Sequence, residues 1–195
     1  DAFCSYCIVP FARGPSRSLP LSGVLDGARN FITQGFREIV LTGIHLGDYG
    51  RDLKPATSLT SALVGLLSQN PTARFRLSSI EPNEISDELL ALSGHYRNLC
   101  PHLHIPLQSG DDDILKSMKR RYDTAFYRDL LDRVTRTWAD AAIGIDVLVG
   151  FPGEGEKEFR HTVELLGKLP AAYLHVFPYS ERPGTAALAI HPKVP

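Results

Sequence analysis

The chain has 195 residues, of which 21 are lysine or arginine and 22 are aspartate or glutamate, so its formal net charge is −1. This balance excludes a basic surface spread over the whole chain, of the kind that grips nucleic acid. Hydrophobic residues make up 43% of the sequence, which excludes a disordered or collagen-like chain. Three cysteines are too few for a secreted disulfide scaffold, and no apolar run is long enough for a membrane span.

The two ends of the sequence do not resemble the ends of a protein. Residue 1 is Asp rather than Met, no signal-peptide pattern follows it, and residues 190–195 are typical of a linker. The length favours a single domain. We therefore expect the chain to be the middle of a longer soluble protein.

Short β-branched segments alternate with segments of helical spacing. In chain order, helices are predicted at 21–33, 58–68, 86–92, 124–139 and 156–168, and strands at 37–41, 75–80, 102–106, 143–149 and 173–177. We expect Ser22 to cap the first helix and Gly35 to follow its end. Repeated strand–helix units indicate an α/β fold with parallel strands, either a doubly wound sheet or part of a (β/α) barrel.

Polar, glycine and proline residues follow the predicted strands directly. In both α/β architectures the functional site lies at the carboxyl ends of the strands. The segments that follow the strands are therefore candidates for the site. They are residues 42–43, 81–82, 108–110, 150–153 and 178–180.

Cys4 and Cys7 form a C-x-x-C pair near the N-terminus. Two thiolates at this spacing can bind one metal or cluster, because the turn between them aims both sulfurs the same way. Spacing alone leaves an iron–sulfur cluster, zinc and a redox dithiol open. Residues 8–14 are predicted to be an irregular loop, which weakens the thioredoxin-like alternative. Cys100 and seven histidines are available as further zinc ligands, but none of them forms a second close pair in the sequence.

The residues around this pair carry a family resemblance. Residues 3–10 (FCSYCIVP), followed by Ala12-Arg13-Gly14 and Arg17-Ser18, resemble the C-x-x-x-C-x-x-C loop of radical S-adenosylmethionine (SAM) enzymes, and more narrowly that of the methylthiotransferases. Five further stretches agree in order: LTGIHLG at 41–47, RLSSIEP at 76–82, HIPLQSG at 104–110, DVLVGFPGE at 146–154 and HVFPYS at 175–180.

One of these stretches separates the branches of the family. Residues 41–47 are most similar to the branch that acts on N6-threonylcarbamoyladenosine in transfer RNA. The branches that act on isopentenyladenosine and on a ribosomal protein usually carry Gln-Asn or Gln-Asp at this place.

The resemblance implies a partial (β/α)6 TIM-like barrel of the radical SAM type whose first strand is missing. The radical core would span residues 1–183, and residues 184–195 would begin a linker to an RNA-binding domain. In the family, three cysteines hold a 4Fe-4S cluster, and SAM chelates its fourth iron and is cleaved to a 5′-deoxyadenosyl radical. Cys4 and Cys7 match two of these ligands, and the third is expected just upstream of Asp1. Cys100 is expected to be buried and unrelated.

The resemblance also implies a set of residues that contact the cofactor. A structural role is the alternative for each of them: packing under the loop for Tyr6, turn geometry for the glycines, local hydrogen bonding for Gln108 and a solvated helix end for Arg120. The set is Tyr6, Thr42, Gly43, Ser79, Glu81, Gln108, Arg120, Val149 and Gly150.

Other residues resemble metal ligands without the right arrangement. Residues 111–113 are three aspartates, but consecutive carboxylates do not converge on one ion, so they predict an acidic helix N-terminus. Glu154 and Glu156 are expected at another helix start. The histidines in or beside strands are each expected to be hydrogen-bonded rather than metal-bound. They are His45, His102, His104 and His175.

The implied activity is replacement of an adenine C–H by C–SCH3 in N6-threonylcarbamoyladenosine at position 37 of transfer RNA. Sulfur would come from a second cluster in an absent N-terminal domain, and flavodoxin or ferredoxin would supply electrons in the cytoplasm. This segment alone is expected to be inactive. The same core could instead act on isopentenyladenosine or on a ribosomal-protein aspartate. In a different class, Cys4, Cys7, Cys100 and a histidine would form a non-catalytic metal-binding module.

Overall fold

The structure, a computed structural model, describes residues 3–194. Helices and strands alternate along most of this range. The helices are α1 Val9–Arg13, α2 Leu21–Thr33, α3 Leu59–Gln69, α4 Asp87–His95, α5 Asp112–Ser117, α6 Thr124–Thr137 and α7 Glu156–Leu166. The strands are β1 Glu38–Leu41, β2 Arg74–Leu77, β3 His102–His104, β4 Ala142–Val149 and β5 Tyr173–Pro178. Short 3₁₀ helices lie at Leu46–Asp48, Pro82–Glu84 and Ala186–Ala189.

The predicted strands and helices are all present, with ends shifted by a few residues. Gly35 follows α2 with φ +93°, a conformation that favours glycine, so its prediction is confirmed. The cap assigned to Ser22 is wrong, because α2 begins at Leu21 behind Pro20. Residues 8–14 are not an irregular loop, because α1 lies within them. Pro10 occupies the first turn of α1, where a helix does not need the missing N–H.

The chain divides into two compact units. The first comprises residues 16–104 and 134–142. Its β1 and β2 are parallel, with Glu38–Leu41 opposite Arg74–Leu77. A parallel bridge from Ser79 to His104 continues this pairing toward β3. Its core combines the buried faces of α3 and α4 with Phe75, which is fully buried in β2. Ser58 and Ser86 cap these two helices through their side-chain oxygens.

The second unit comprises residues 1–15, 105–133 and 143–195. Its β4 and β5 are parallel, with Gly144–Val149 opposite Tyr173–Pro178, and Gln108 forms a parallel bridge with Val147. Fully buried Tyr127 of α6 donates a hydrogen bond to Ile105 O at 2.6 Å. An apolar cluster forms where β4 ends, and it contains Ile114, Met118, Phe151 and Ala187.

The C-terminal residues contribute to this second unit. The 3₁₀ helix Ala186–Ala189 supplies Ala187 to the apolar cluster. The boundary between core and linker at residue 183 stays a prediction. Among residues 3–194, none of the helices combines the length and the apolar character needed to cross a membrane.

Candidate functional site

The cysteine loop, residues 4–7, is a tight turn in the second unit. Cys7 N donates to Cys4 O at 3.1 Å. Between them, Ser5 is anchored on both sides, since its N–H donates to Met118 O at 3.0 Å and its carbonyl accepts from Ala187 N at 2.8 Å. Both cysteines are free and partly exposed. Backbone hydrogen bonds therefore fix the turn that carries the two predicted metal ligands.

Arg120 contacts one of these ligands directly. Its Nη1 donates to Cys4 Sγ at 3.1 Å, and its Nε donates to the Tyr122 hydroxyl at 2.9 Å. The Tyr122 hydroxyl lies 2.9 Å and 3.0 Å from the carbonyl oxygens of Pro106 and Leu107. The Arg120 guanidinium therefore places a positive charge in direct contact with one of the two predicted metal-ligand atoms.

The end of α5 holds Arg120 in this place. Lys119 adopts φ +59° and donates to Lys116 O, while Arg120 N donates to Leu115 O, both at 2.9 Å. These two bonds form a Schellman motif. This position of the motif usually holds glycine, because the left-handed conformation costs other residues energy. Here it holds Lys119, so the sequence does not signal the turn.

Tyr6 packs under the cysteine loop as well as facing outward. Its ring meets Phe151 edge-on at 6.3 Å between centroids, and Phe151 meets Tyr179 in the same way at 5.6 Å. Tyr6 is half-buried, whereas Phe151 is fully buried. Packing against Phe151 therefore accounts for part of the Tyr6 ring, and its role at the cofactor stays a prediction.

Gln108 lies in a strained backbone conformation. Its φ is +72°, which is uncommon for a residue other than glycine. Its N–H donates to Asp146 O at 2.9 Å, and its carbonyl accepts from Leu148 N at 2.8 Å. These two hydrogen bonds to β4 hold Gln108 in this unfavourable conformation. Residues in such conformations cluster at functional sites.

Gly150 and Glu154 shape the exit from β4. Gly150 has φ +76°, so the turn itself explains the glycine. Its N–H donates to Glu154 Oε2, while Glu154 Oε1 is buried without a hydrogen-bond partner among the described residues. Burial raises the pKa of Glu154. Val149, the last residue of β4, is half-buried, and its carbonyl accepts a hydrogen bond from Tyr179 N at 2.8 Å. The prediction of Glu154 at a helix start missed this role, because α7 begins only at Glu156.

The three aspartates after Gly110 begin α5, as predicted. Asp111 is the N-cap, and its Oδ1 accepts from Asp113 N and Ile114 N. Its Oδ2 lies 2.7 Å from His161 Nδ1. Burial alone would raise the pKa of Asp111, but the hydrogen bonds from His161 and the backbone outweigh it and lower that pKa.

In the first unit, four predicted cofactor residues follow β1 and β2. Because these strands are parallel, their carboxyl ends lie at the same edge. Thr42, Gly43 and Ser79 are exposed there, and Glu81 is half-buried. A Cβ at Gly43 would make only ordinary contacts, with Leu46, so packing within the protein does not require glycine.

Sequence reasoning missed the histidine cluster, which consists of His45, Asp48 and Glu84. His45 Nε2 lies 2.6 Å from Glu84 Oε1, and His45 Nδ1 lies 2.6 Å from Asp48 Oδ2. The hydrogen bond to Glu84 raises the pKa of His45 more than burial lowers it. Arg51 pairs with the other oxygen of Asp48 at 2.6 Å. The side chain of Glu84 occupies the space that a Cβ at Gly47 would need.

The other predicted residues have structural surroundings. Cys100 is buried, as expected, and Arg74 Nη2 lies 3.5 Å from its sulfur. His102 is half-buried, and burial lowers its pKa. His104 belongs to β3 and is half-buried. His175 is exposed on β5, with its Nδ1 3.4 Å from Asp146 Oδ1.

The chemistry of the donor set fits part of an iron–sulfur site. Cys4 and Cys7 are free thiols carried by one fixed turn, and Arg120 donates to the first of them. Thiolates are the usual protein ligands of such clusters. The third cluster ligand stays a prediction.

Comparison with known proteins gives a consistent result. Residues 1–166 match the family model described as the Radical SAM superfamily. The threonylcarbamoyladenosine tRNA methylthiotransferase MtaB of Bacillus subtilis is 41% identical over 98% of the chain and 43% of its own length. The tRNA-2-methylthio-N(6)-dimethylallyladenosine synthase of Oleidesulfovibrio alaskensis is 40% identical over 95% of the chain and 40% of its own length. The chain thus spans less than half of each relative.

Solved structures agree on the fold. Coproporphyrinogen III oxidase (HemN) from Escherichia coli, described as a radical SAM enzyme, superposes with a TM-score of 0.66 at 20% identity. The match covers 99% of this chain and 45% of that one. At this identity the likeness confirms the predicted radical SAM type of α/β fold and says nothing of substrate.

Proposed function

The chain belongs to the radical SAM superfamily, and on that basis we propose that its protein is a transfer RNA methylthiotransferase. Its substrate would be N6-threonylcarbamoyladenosine at position 37, which it would convert to the 2-methylthio derivative. The observation that carries the proposal is the likeness of nearly the whole chain to MtaB, together with the TGIHLG stretch after β1.

Cys4 and Cys7 would hold two irons of the 4Fe-4S cluster that the superfamily uses, with a third cysteine upstream of Asp1. When bound, this cluster supplies the electron that cleaves SAM. Arg120 would orient the Cys4 sulfur and offset the negative charge of the site through its hydrogen bond to that sulfur. The backbone bonds of Ser5 would keep the cysteine loop in place as the charge of the site changes.

The remaining predicted residues would bind SAM itself. The exposed strand-end positions support this role, as does the strained backbone of Gln108. Gly43 would let the cofactor approach the backbone closely, because packing inside the protein leaves room there. The proposed set is Tyr6, Thr42, Gly43, Ser79, Glu81, Gln108, Val149 and Gly150.

Several partners belong to the same proposal. The target adenine would leave its stack to reach the cofactor, as base-modifying enzymes require. A second cluster in an N-terminal domain would donate sulfur, and a C-terminal domain beyond a linker starting at residue 184 would hold the transfer RNA. The radical core would end at residue 183. Flavodoxin or ferredoxin would supply electrons in the cytoplasm.

Nucleoside mass spectrometry of transfer RNA tests the proposal. A strain that lacks the full-length gene and any redundant enzyme should lose 2-methylthio-N6-threonylcarbamoyladenosine. The wild-type gene should restore it, and so should Cys100→Ala, whereas Cys4→Ala should not. Unchanged levels of this nucleoside in the deletion strain would refute the proposal.

Dimethylallyladenosine is the second candidate substrate, because a synthase that carries that name is 40% identical. The same measurement distinguishes the two substrates. If dimethylallyladenosine is the substrate, the deletion strain should instead lose the 2-methylthio-N6-dimethylallyladenosine signal. A metal-binding module without catalysis is tested separately by metal analysis. Stoichiometric zinc without iron after anaerobic reconstitution would favour that module.

A further inference from the structure

The histidine cluster joins the segment after β1 to the segment after β2. His45 comes two residues after Gly43, and Glu84 ends the 3₁₀ helix that begins directly after Glu81. Glu84 N also donates to Glu81 O at 2.9 Å. The cluster is therefore a direct link between the two segments that carry the exposed strand-end residues of this unit.

The geometry of the link requires a charged imidazole. Each ring nitrogen of His45 lies 2.6 Å from a carboxylate oxygen. A neutral imidazole donates from one nitrogen only, so its other lone pair would face a carboxylate lone pair. The imidazolium donates from Nε2 to Glu84 and brings its positive charge 2.6 Å from Asp48 Oδ2, although its Nδ1 has no well-aligned hydrogen bond among the described residues.

We propose that His45 is a positioning residue that, as an imidazolium, holds residues 42–43 and 79–81 in the arrangement that binds SAM. The inference rests on the proposed function, because it takes these residues as cofactor contacts. It adds a residue that touches neither the cofactor nor the cluster. The absence of a Cβ at Gly47 completes the arrangement, because Glu84 fills that space.

The link also explains why His45 does not itself recognise a substrate. Both of its ring nitrogens face carboxylates within the protein, and its side chain is 15% exposed. A substrate carboxylate would have to displace Asp48 or Glu84 to reach it. The histidine that marks the TGIHLG stretch thus acts inside the protein.

Among the described residues, Asp48 and Glu84 face the imidazole, and Arg51 pairs with Asp48. Arg51 neutralises part of the charge on Asp48, which leaves the Glu84 carboxylate as the stronger partner of the ring. Deprotonation of His45 removes the positive charge that faces both carboxylates and weakens the link. The affinity for SAM should therefore fall as the pH rises through the raised pKa of His45.

The test uses the full-length protein with its cluster reconstituted and SAM as the probe. Equilibrium dialysis gives the dissociation constant of SAM from about pH 6 to about pH 9. His45→Gln keeps a polar side chain with one donor group and loses the bridge, so its dissociation constant at pH 6 should rise about tenfold. His95→Gln, an exposed histidine at the end of α4, should match the wild type.

Glu84→Gln supplies a readout that a purely structural role would not move. The amide carbonyl of the substituted side chain still accepts from His45 Nε2, but the negative charge that favours the imidazolium is gone. The pH at which SAM binding weakens should therefore shift downward. Since this side chain keeps its shape, the variant also serves if His45→Gln does not fold.

The outcomes separate the two proposals. Wild-type affinity in His45→Gln, or an unmoved pH profile in Glu84→Gln, would overturn the positioning role even if the enzyme modifies transfer RNA. A wild-type protein that shows the expected profile and both variant effects, yet leaves transfer RNA unmodified, would support the positioning role and refute the proposed function.

Discussion

The cysteine loop and the histidine cluster are held by different forces. Backbone hydrogen bonds of Ser5 and the apolar packing of Tyr6 on Phe151 hold the first. Charged side chains around His45 hold the second. Amide hydrogen bonds and apolar contacts do not titrate near neutral pH, whereas imidazole does. The backbone and apolar contacts of the loop are therefore insensitive to pH, whereas the contacts of His45 are not.

This difference suits the two proposed tasks. A redox cluster changes its charge in each cycle, and ligands fixed by uncharged contacts keep their position while it does. The segments proposed to bind the cofactor are joined instead by a mostly buried ion pair, whose strength depends on the protonation of His45. The predictions below test whether the two regions differ in this way.

The largest effect is expected where apolar packing supports the cysteine loop. Phe151→Ala removes a fully buried ring from the cluster beneath Tyr6, which should lower the free energy of unfolding by about 3–5 kcal/mol. Urea titration of the full-length protein should give the same loss at pH 6 and pH 8. Phe159→Ala, an exposed position on α7, is the control. A loss that changes strongly with pH would contradict the comparison.

Arg120 makes a charged contact with the cysteine loop. Arg120→Gln removes the donor to Cys4 Sγ and should weaken iron binding about 10–100-fold, which is the usual effect of losing a residue that supports a metal ligand. Iron retention during an anaerobic chelator challenge measures this. Arg121→Gln changes the exposed neighbour and should retain iron like the wild type. Equal retention in the two variants would exclude this role for Arg120.

Local patterns in the sequence are sufficient to predict much of the fold and part of the site. The buried face of α3 repeats Leu59, Leu63 and Leu66 at helical spacing, so periodicity locates it. Cys4 and Cys7 are also predictable from local sequence, because the turn that aims both sulfurs consists of the residues between them. The wrong interpretation of residues 8–14 came from Pro10, which breaks a helix in its interior but begins one in its first turn.

Contacts between distant residues are beyond such patterns. The Arg120–Cys4 bond joins residues 116 positions apart, and the His45–Glu84 bond depends on how two strand ends meet. Neither pair has a local spacing that a motif could encode. Glu154 was assigned to a helix start from its neighbours, although its burial depends on the turn at Gly150.

The histidine cluster should make a smaller contribution to stability, and one that depends on pH. The folded-state pKa of His45 is raised, so its contribution is fully present below the unfolded pKa of about 6.5 and is lost as the pH rises through the folded value. His45→Gln should cost about 1–2 kcal/mol at pH 6 and progressively less at higher pH. Urea titration of both proteins, with His95→Gln as control, measures the difference. A cost that does not vary with pH would remove the contrast with the cysteine loop.

The smallest effect concerns Glu154, a titrating group that belongs to the same compact unit as the cysteine loop. Burial raises its folded-state pKa above 4.5, so its contribution is present below pH 4.5 and is lost as the pH rises through the folded value. Glutamine resembles the neutral acid, and its carbonyl can still accept from Gly150 N. Glu154→Gln should therefore gain stability relative to the wild type as the pH rises, by less than about 1 kcal/mol. Thermal unfolding of both proteins between pH 4.5 and pH 7.5 measures this, and the exposed Glu156→Gln should show no such gain. The contrary outcome is a stability gain as large as the pH-dependent change in stability caused by His45→Gln. The two regions would then be equally sensitive to pH.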